Sequence, residues 1–295
     1  MERNNIFKLL EQNYKLFESN LFRIDELFQK RYMIEQNFGQ KTTLKNFVQQ
    51  HCFYSWKNRG RCIDVDDFLN TIGYPLDPYE TINLYSYLDR IEGIYNLWYL
   101  AKNYRYLSEK PPKFYITYSI LKTLLDDCLS DFNYKAYYNS EVEQLIVAED
   151  KPEVTAVAEI VDPQTAFEIV RYNHRTLQGN FEAKKRILLT MGAELEPKRN
   201  VLKGINQSLE RNIFFMLNNL NLRHNNCAEG DKNYKKAVAS MTPMDLEHWY
   251  DELYQMILLA NLELENSKRL HDIDSLKVSV KSTSDLSGKN ASAKL

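Results

Sequence analysis

Apolar side chains recur along most of this chain at intervals of three and four, the spacing that gathers them on one face of an α-helix. Ile6, Leu10, Phe17, Leu21, Ile24 and Phe28 predict one long helix over residues 4–35, with Gly39 as its stop. Thr43 to Gln50 predict a short helix, and Asp64–Asp67 offers helix-starting carboxylates ahead of Phe68 and Leu69. Gly73 and Pro75 break the chain; Asp77 with Pro78 then makes an N-cap and first-turn pair for a helix over 78–102. After Pro111 and Pro112, the run Ile116, Ile120, Leu121, Leu124 and Leu125 predicts a helix over 113–130.

Periodicity is weakest over residues 131–155, and a domain boundary is expected there. Residues 154–172 read as short helices, with one strand pair as the alternative. A helix over 181–195 follows, and Pro197 marks a new start or a kink. From Leu202 through Ile205, Leu209, Ile213, Met216, Leu217 and Leu220 the apolar stripe is almost unbroken, predicting one helix that ends around 221–226. Thr242-Pro243-Met244-Asp245 is a capped start, and Leu246, Trp249, Tyr250, Leu253, Met256, Ile257, Ala260 and Leu264 carry a last helix to about Leu270. Residues 273–295 are Ser-, Lys- and Asp-rich and too poor in apolar groups to offset the entropy of ordering, so disorder is expected. The expected fold is all-α: a two-lobed multi-helix bundle with an N-terminal helical domain over 1–140, a second helical domain over 141–272 with an acidic lead-in, and a tail over 273–295.

Composition adds exclusions. The 295 residues are 44% hydrophobic and 26% charged, in the range of soluble globular proteins. Nine glycines in total argue against a glycine-rich phosphate cradle. No apolar run approaches the roughly 18 residues of a membrane span. The first thirty residues carry charges throughout, unlike a signal peptide, so a cytoplasmic chain with reduced thiols is expected. Cys52, Cys62, Cys128 and Cys227 form no Cys-x-x-Cys pair, and no bound metal or cofactor is expected. The 13% aromatic content sits mostly at core-facing helical positions such as Tyr95. The net charge of −2 conceals a reversal. Residues 141–170 hold eight acids and one base; residues 171–240 hold thirteen bases and six acids. A basic face on the second half, or simply a solvated helix surface, would produce this contrast.

One polar motif stands out: Asn218-Asn219-Leu220-Asn221-Leu222-Arg223-His224-Asn225-Asn226, closing the stripe helix. His224 falls at the end of the buried stripe, with Arg223 about 100° away round the helix. The same residues suit a plain helix C-terminus: Asn tolerates the left-handed cap position, and Arg and His favour the negative end of the helix dipole. A hairpin of two long helices with an Asn-rich Arg-His at the end of the first resembles HEPN-superfamily domains. More narrowly, residues 165–270 resemble the C-terminal domain of bacterial abortive-infection-type proteins. The family signature is an Arg, then a His after four to six intervening positions; here Arg223 directly precedes His224, and Asn218 and Asn219 stand where the family has its Arg.

The resemblance implies a phage-defence or toxin-type protein that cleaves RNA without a metal, with two motifs meeting across a homodimer axis. His224 would transfer a proton at the ribose 2′-OH or the leaving oxygen, Arg223 would stabilise the phosphorane-like charge, and Asn219 would orient phosphate or ribose. Asn225, Asn226, Arg211, Lys232 and, in the same basic segment, His174 are secondary RNA-contacting candidates. The other reading is a non-catalytic helical interaction or RNA-binding module with a degenerate HEPN-like domain and a protein partner. No membrane contact is expected under either.

Overall fold

A computed structural model describes residues 6–74, 82–107 and 110–291. The fold is mostly helical with small strand pairs, and the chain divides into two compact units, Met1–Asp150 and Lys151–Leu295. The predicted Asp77–Pro78 cap lies outside the described residues.

In the first unit, α1 (Ile6–Asp25) buries Phe17, Leu21 and Ile24. It passes into one π-helical turn, Glu26–Lys30, in which Arg31 N–H donates to Glu26 O at 3.2 Å and Phe28 still faces inward. The expected single helix over 4–35 therefore ends early. Ile34 belongs instead to a small antiparallel sheet, where β1 (Ile34–Glu35) lies between β2 (Lys41–Thr42) and β3 (Lys113–Phe114). Strands this short leave no periodic signature. Next come α2 (Leu44–His51), capped by Thr43, and α3 (Val65–Thr71), capped by Asp64. They are followed by α4 (Leu84–Leu107) and α5 (Ile116–Ser130).

Residues 134–149, without a helical period, form an antiparallel hairpin of β4 (Tyr134–Asn139) and β5 (Gln144–Glu149), with Tyr134 opposite Glu149 and Asn139 opposite Gln144. Side chains of α4 satisfy the outer edge of β5. The Asn96 amide accepts from Leu145 N–H and donates to Leu145 O, both at 2.9 Å. Glu92 accepts from Val147 N–H at 2.7 Å. A backbone edge that would otherwise be left unpaired in an apolar setting is thus closed by two polar residues of a helix. The unit ends at Asp150, so the acidic stretch 141–150 belongs to the first unit rather than leading into the second.

The second unit is built from α6 (Pro152–Ala158), α7 (Pro163–Tyr172), α8 (Phe181–Leu195), α9 (Arg199–Ile205), α10 (Gln207–Asn219), α11 (Lys236–Ala239) and α12 (Pro243–Ala291). The starts follow the sequence signals. Asp162 accepts from Gln164 and Thr165 N–H, and Asn180 accepts from Ala183 N–H. Thr242 and Asp245 bond each other's backbone N–H groups in a reciprocal cap; the Thr242 hydroxyl, donating to the Asp245 carboxylate at 2.7 Å, and then the Thr242 N–H hold that carboxyl below its ordinary pKa. The first half of α12 is the spine: it buries Tyr250, Leu253, Tyr254, Ile257 and Leu258 and packs against α8, which buries Ile187, Leu188 and Met191, and α10, which buries Ile213 and Leu217. Where α8 meets α10 the approach is close; a Cβ at Gly192 would lie 3.0 Å from both Leu217 methyl carbons.

The expected unbroken helix from Leu202 to Leu220 is two helices. Asn206 leaves helical geometry (φ −144°, ψ 87°) and its side chain caps α10 by accepting from Leu209 N–H at 3.0 Å. Apolar spacing alone cannot see this break, because the stripe continues across it. At the other end, residues 273–291, expected to be disordered, continue α12. Burial on α12 ends at Leu264, and the side chains described from Asp272 to Lys281 are exposed, in line with the scarcity of apolar groups.

Candidate functional site

The motif residues sit where α10 ends. Leu220 is the last cap, and its carbonyl accepts from the buried Tyr250 hydroxyl at 3.1 Å. Asn221 takes the left-handed conformation (φ 56°), which reverses the chain, and Arg223 N–H returns to Leu217 O at 3.0 Å. An asparagine adopts this backbone at less cost than most side chains, so the helix stops here.

Asn226 holds the loop that follows. It is 1% exposed. Its Oδ1 accepts from Asn221 N–H at 2.8 Å, and its Nδ2 donates to Asn233 O at 2.8 Å. Its carbonyl accepts from Lys235 N–H at 2.8 Å. One amide thus ties both strands of the 220–235 loop together. Asn225 makes a local turn, with its Oδ1 accepting from Cys227 and Ala228 N–H. Asn219 donates back to Phe215 O at 2.8 Å. Replacing Asn226 with alanine should therefore lower stability by about 2 kcal/mol, since two backbone groups lose their partners in a buried setting. It should also raise amide exchange over 221–235. Hydrogen exchange by mass spectrometry reads this directly, and unchanged protection in the loop would refute it.

Arg223 is partly buried and engaged. Its Nη2 donates to Glu196 at 2.5 Å, and its guanidinium lies 5.4 Å from the centre of the Phe214 ring. Arg199 stacks on the same ring at 4.1 Å and bridges Glu210, which is buried, to Glu196. Two arginines, two glutamates and one phenylalanine form a single network along α9 and α10. His224, by contrast, is exposed and makes no hydrogen bond or ion pair among the described residues. Arg211 and Lys232 are exposed, on α10 and in the loop. His174 is buried after α7, its ring nitrogens against Thr176 and Arg175 of its own turn.

The structure therefore brings Asn219, Arg223, His224, Asn225 and Asn226 into one helix end, and gives His174 a separate structural setting. It also redistributes the charge read from the sequence. Of the thirteen bases in 171–240, Arg171, Lys184, Lys198, Arg199 and Arg223 are ion-paired. Arg186, Lys203, Arg211, Lys232, Lys235 and Lys236 remain exposed, with no ion-pair partner among the described residues.

Sequence reasoning missed two features. Trp249, assigned to the core stripe of the last helix, is 42% exposed, and Phe215, off the α10 stripe, is 61% exposed. A large aromatic lying off an otherwise regular apolar stripe was the available signal for a surface recess. Among the described residues, no group of His, Cys, Asp and Glu could hold a metal ion, and no helix is long and apolar enough to cross a membrane. Comparison with protein-family models, with curated proteins and with solved structures finds no match to this chain.

Proposed function

We propose that the second unit is a non-catalytic, RNA-binding helical module of the abortive-infection type, cytoplasmic, with a degenerate HEPN-like motif. The observation that carries this reading is the engagement of Arg223. Its guanidinium is held by Glu196 and the Phe214 face, and the asparagines around it are used in ending α10 and fixing the loop. A transition-state stabiliser needs donors aimed at a substrate oxygen; these donors are aimed at the protein. The exposed cations Arg186, Lys203, Arg211, Lys232, Lys235 and Lys236 support attraction of a polyanion, which would weaken steeply with added salt.

The exposure of His224 beside Arg223 favours a second reading, a dimeric metal-independent endoribonuclease. RNA incubated in chelator with wild type and with His224→Ala separates the two, with mass and circular dichroism checked on the same samples. The module reading expects salt-sensitive RNA binding by both proteins and cleavage by neither. Cleavage by wild type that is lost in a folded His224→Ala would establish the nuclease. Absence of RNA binding at low salt would overturn both.

A further inference from the structure

Beside the motif, α10, α11 and the start of α12 border an open recess of about 400 Å³. Its floor is buried Leu220 and Val238, and Phe215, Met241 and Trp249 complete its apolar walls. Two polar residues are among those that line it, Asn219 and Lys235. This volume lies in the usual range of small-ligand pockets, roughly 300–1,000 Å³, and an apolar lining with few polar groups is their common composition. A groove for an amphipathic helix would instead present several anchoring pockets in a row at helical spacing.

Charge selects the ligand class. Lys235 is exposed and has no ion-pair partner among the described residues, and no carboxylate lines the recess. Its backbone is anchored, because Lys235 N–H donates to the carbonyl of buried Asn226, so the exposed side chain starts from a held point at the rim of the recess. The Asn219 amide, one of whose N–H groups is used by Phe215 O, carries a second. An apolar body therefore meets cationic and amide donors at one side.

We propose that this recess binds a small amphiphilic carboxylate, its apolar body against Phe215, Val238 and Trp249 and its carboxylate held by Lys235, with Asn219 as a second donor. The inference goes beyond the RNA-binding reading and does not depend on the roles of Arg223 and His224. It accounts for two large, partly exposed aromatic rings beside a lysine that has no ion-pair partner among the described residues, on a loop that Asn226 holds in place.

The test uses the full chain and decanoate as probe, with decanol as its neutral counterpart, in calorimetric titrations. Trp249 reports independently through the fluorescence difference between wild type and Trp249→Phe. Saturable one-to-one binding of decanoate is expected, with decanol weaker. Lys235→Gln should weaken decanoate about tenfold, the usual worth of one charge-assisted contact, and leave decanol unchanged; Lys235→Arg should restore the affinity. Val238→Trp, which fills the floor, should abolish binding of both while circular dichroism shows a folded chain. No saturable decanoate binding by wild type would overturn the proposal. So would equal affinity for decanol, a folded Val238→Trp that binds normally, or a dimer mass by light scattering that Trp249→Ala reduces to the monomer. Should Val238→Trp fail to fold, the Lys235 pair still decides.

Discussion

Tyr254→Ala should lower the stability of the second unit by about 3–5 kcal/mol, the range for removing a large aromatic from a core. Tyr254 is 1% exposed, and its ring lies parallel to that of Tyr172 at 4.1 Å between centres. Its hydroxyl donates to Ile169 O at 2.9 Å and accepts from the Asn173 amide at 2.8 Å. One side chain of α12 therefore fixes the end of α7 by packing and by two hydrogen bonds. Tyr254→Phe separates these contributions. It keeps the stacked ring and loses the hydroxyl, at an expected cost of about 1–2 kcal/mol. Urea titration reads both variants as lower midpoints. A Tyr254→Ala midpoint within error of wild type would mean that α7 is not held through this residue.

That pairing of α7 with α12 was only half visible in the sequence. The apolar spacing of Tyr250, Leu253 and Ile257 announced a helix, and the Thr242–Asp245 cap announced its start, because both are local signals repeated on one element. Which element lies opposite is a tertiary fact without a local signature. The same distinction accounts for the departures. The hairpin over 134–149 has a strand, Leu145 to Ala148, buried at every position, so it lacks the alternation that marks a half-exposed strand. Its edge is completed by Glu92 and Asn96, dozens of residues away on a helix. The break at Asn206 was hidden by a continuous stripe, although a capping residue at that position is its sequence signal.

At the candidate site, the sequence placed the helix end to within a few residues and offered an asparagine for its left-handed cap without saying which, but it could not show what Arg223 touches. Glu196, which receives it, lies 27 residues earlier, on the short turn ahead of α9. The basic segment misled in the same way. A count of charges along the chain treats each lysine as surface, whereas Lys184 is 6% exposed and its partners lie on α12, beyond the segment counted. Patterns of polarity describe faces of single helices; the pairing of charges belongs to the assembled unit.

Lys184 carries the other large expected effect. Its ammonium lies 2.7 Å from both Glu247 and Asp251, and 5.1 Å from the centre of the Tyr172 ring. Asp251 also accepts from the Tyr172 hydroxyl at 2.8 Å, and Glu247 accepts from Gly179 N–H at 2.9 Å. Lys184→Met keeps length and apolar bulk but leaves two carboxylates facing each other without a counter-charge. Loss of one partner from a fully buried pair costs about 3–5 kcal/mol. Here Asp251 is half exposed and partly solvated, so about 2–3 kcal/mol is expected at neutral pH. The pH dependence follows from Glu247. Burial works to raise its pKa, but the bonds from Lys184 and Gly179 and the lysine's charge outweigh it, and the carboxyl is held below its ordinary value of 4.5. A carboxyl depressed in the folded state adds stability that is present above its unfolded pKa and lost as pH falls through the folded one. Wild type should therefore lose this contribution below about 4.5. Lys184→Met, in which Glu247 no longer gains from ionising, should show its deficit shrink over the same interval. Urea midpoints at neutral and acidic pH check both statements. A deficit that stays constant as the medium is acidified would show that Lys184 stabilises the unit by packing alone.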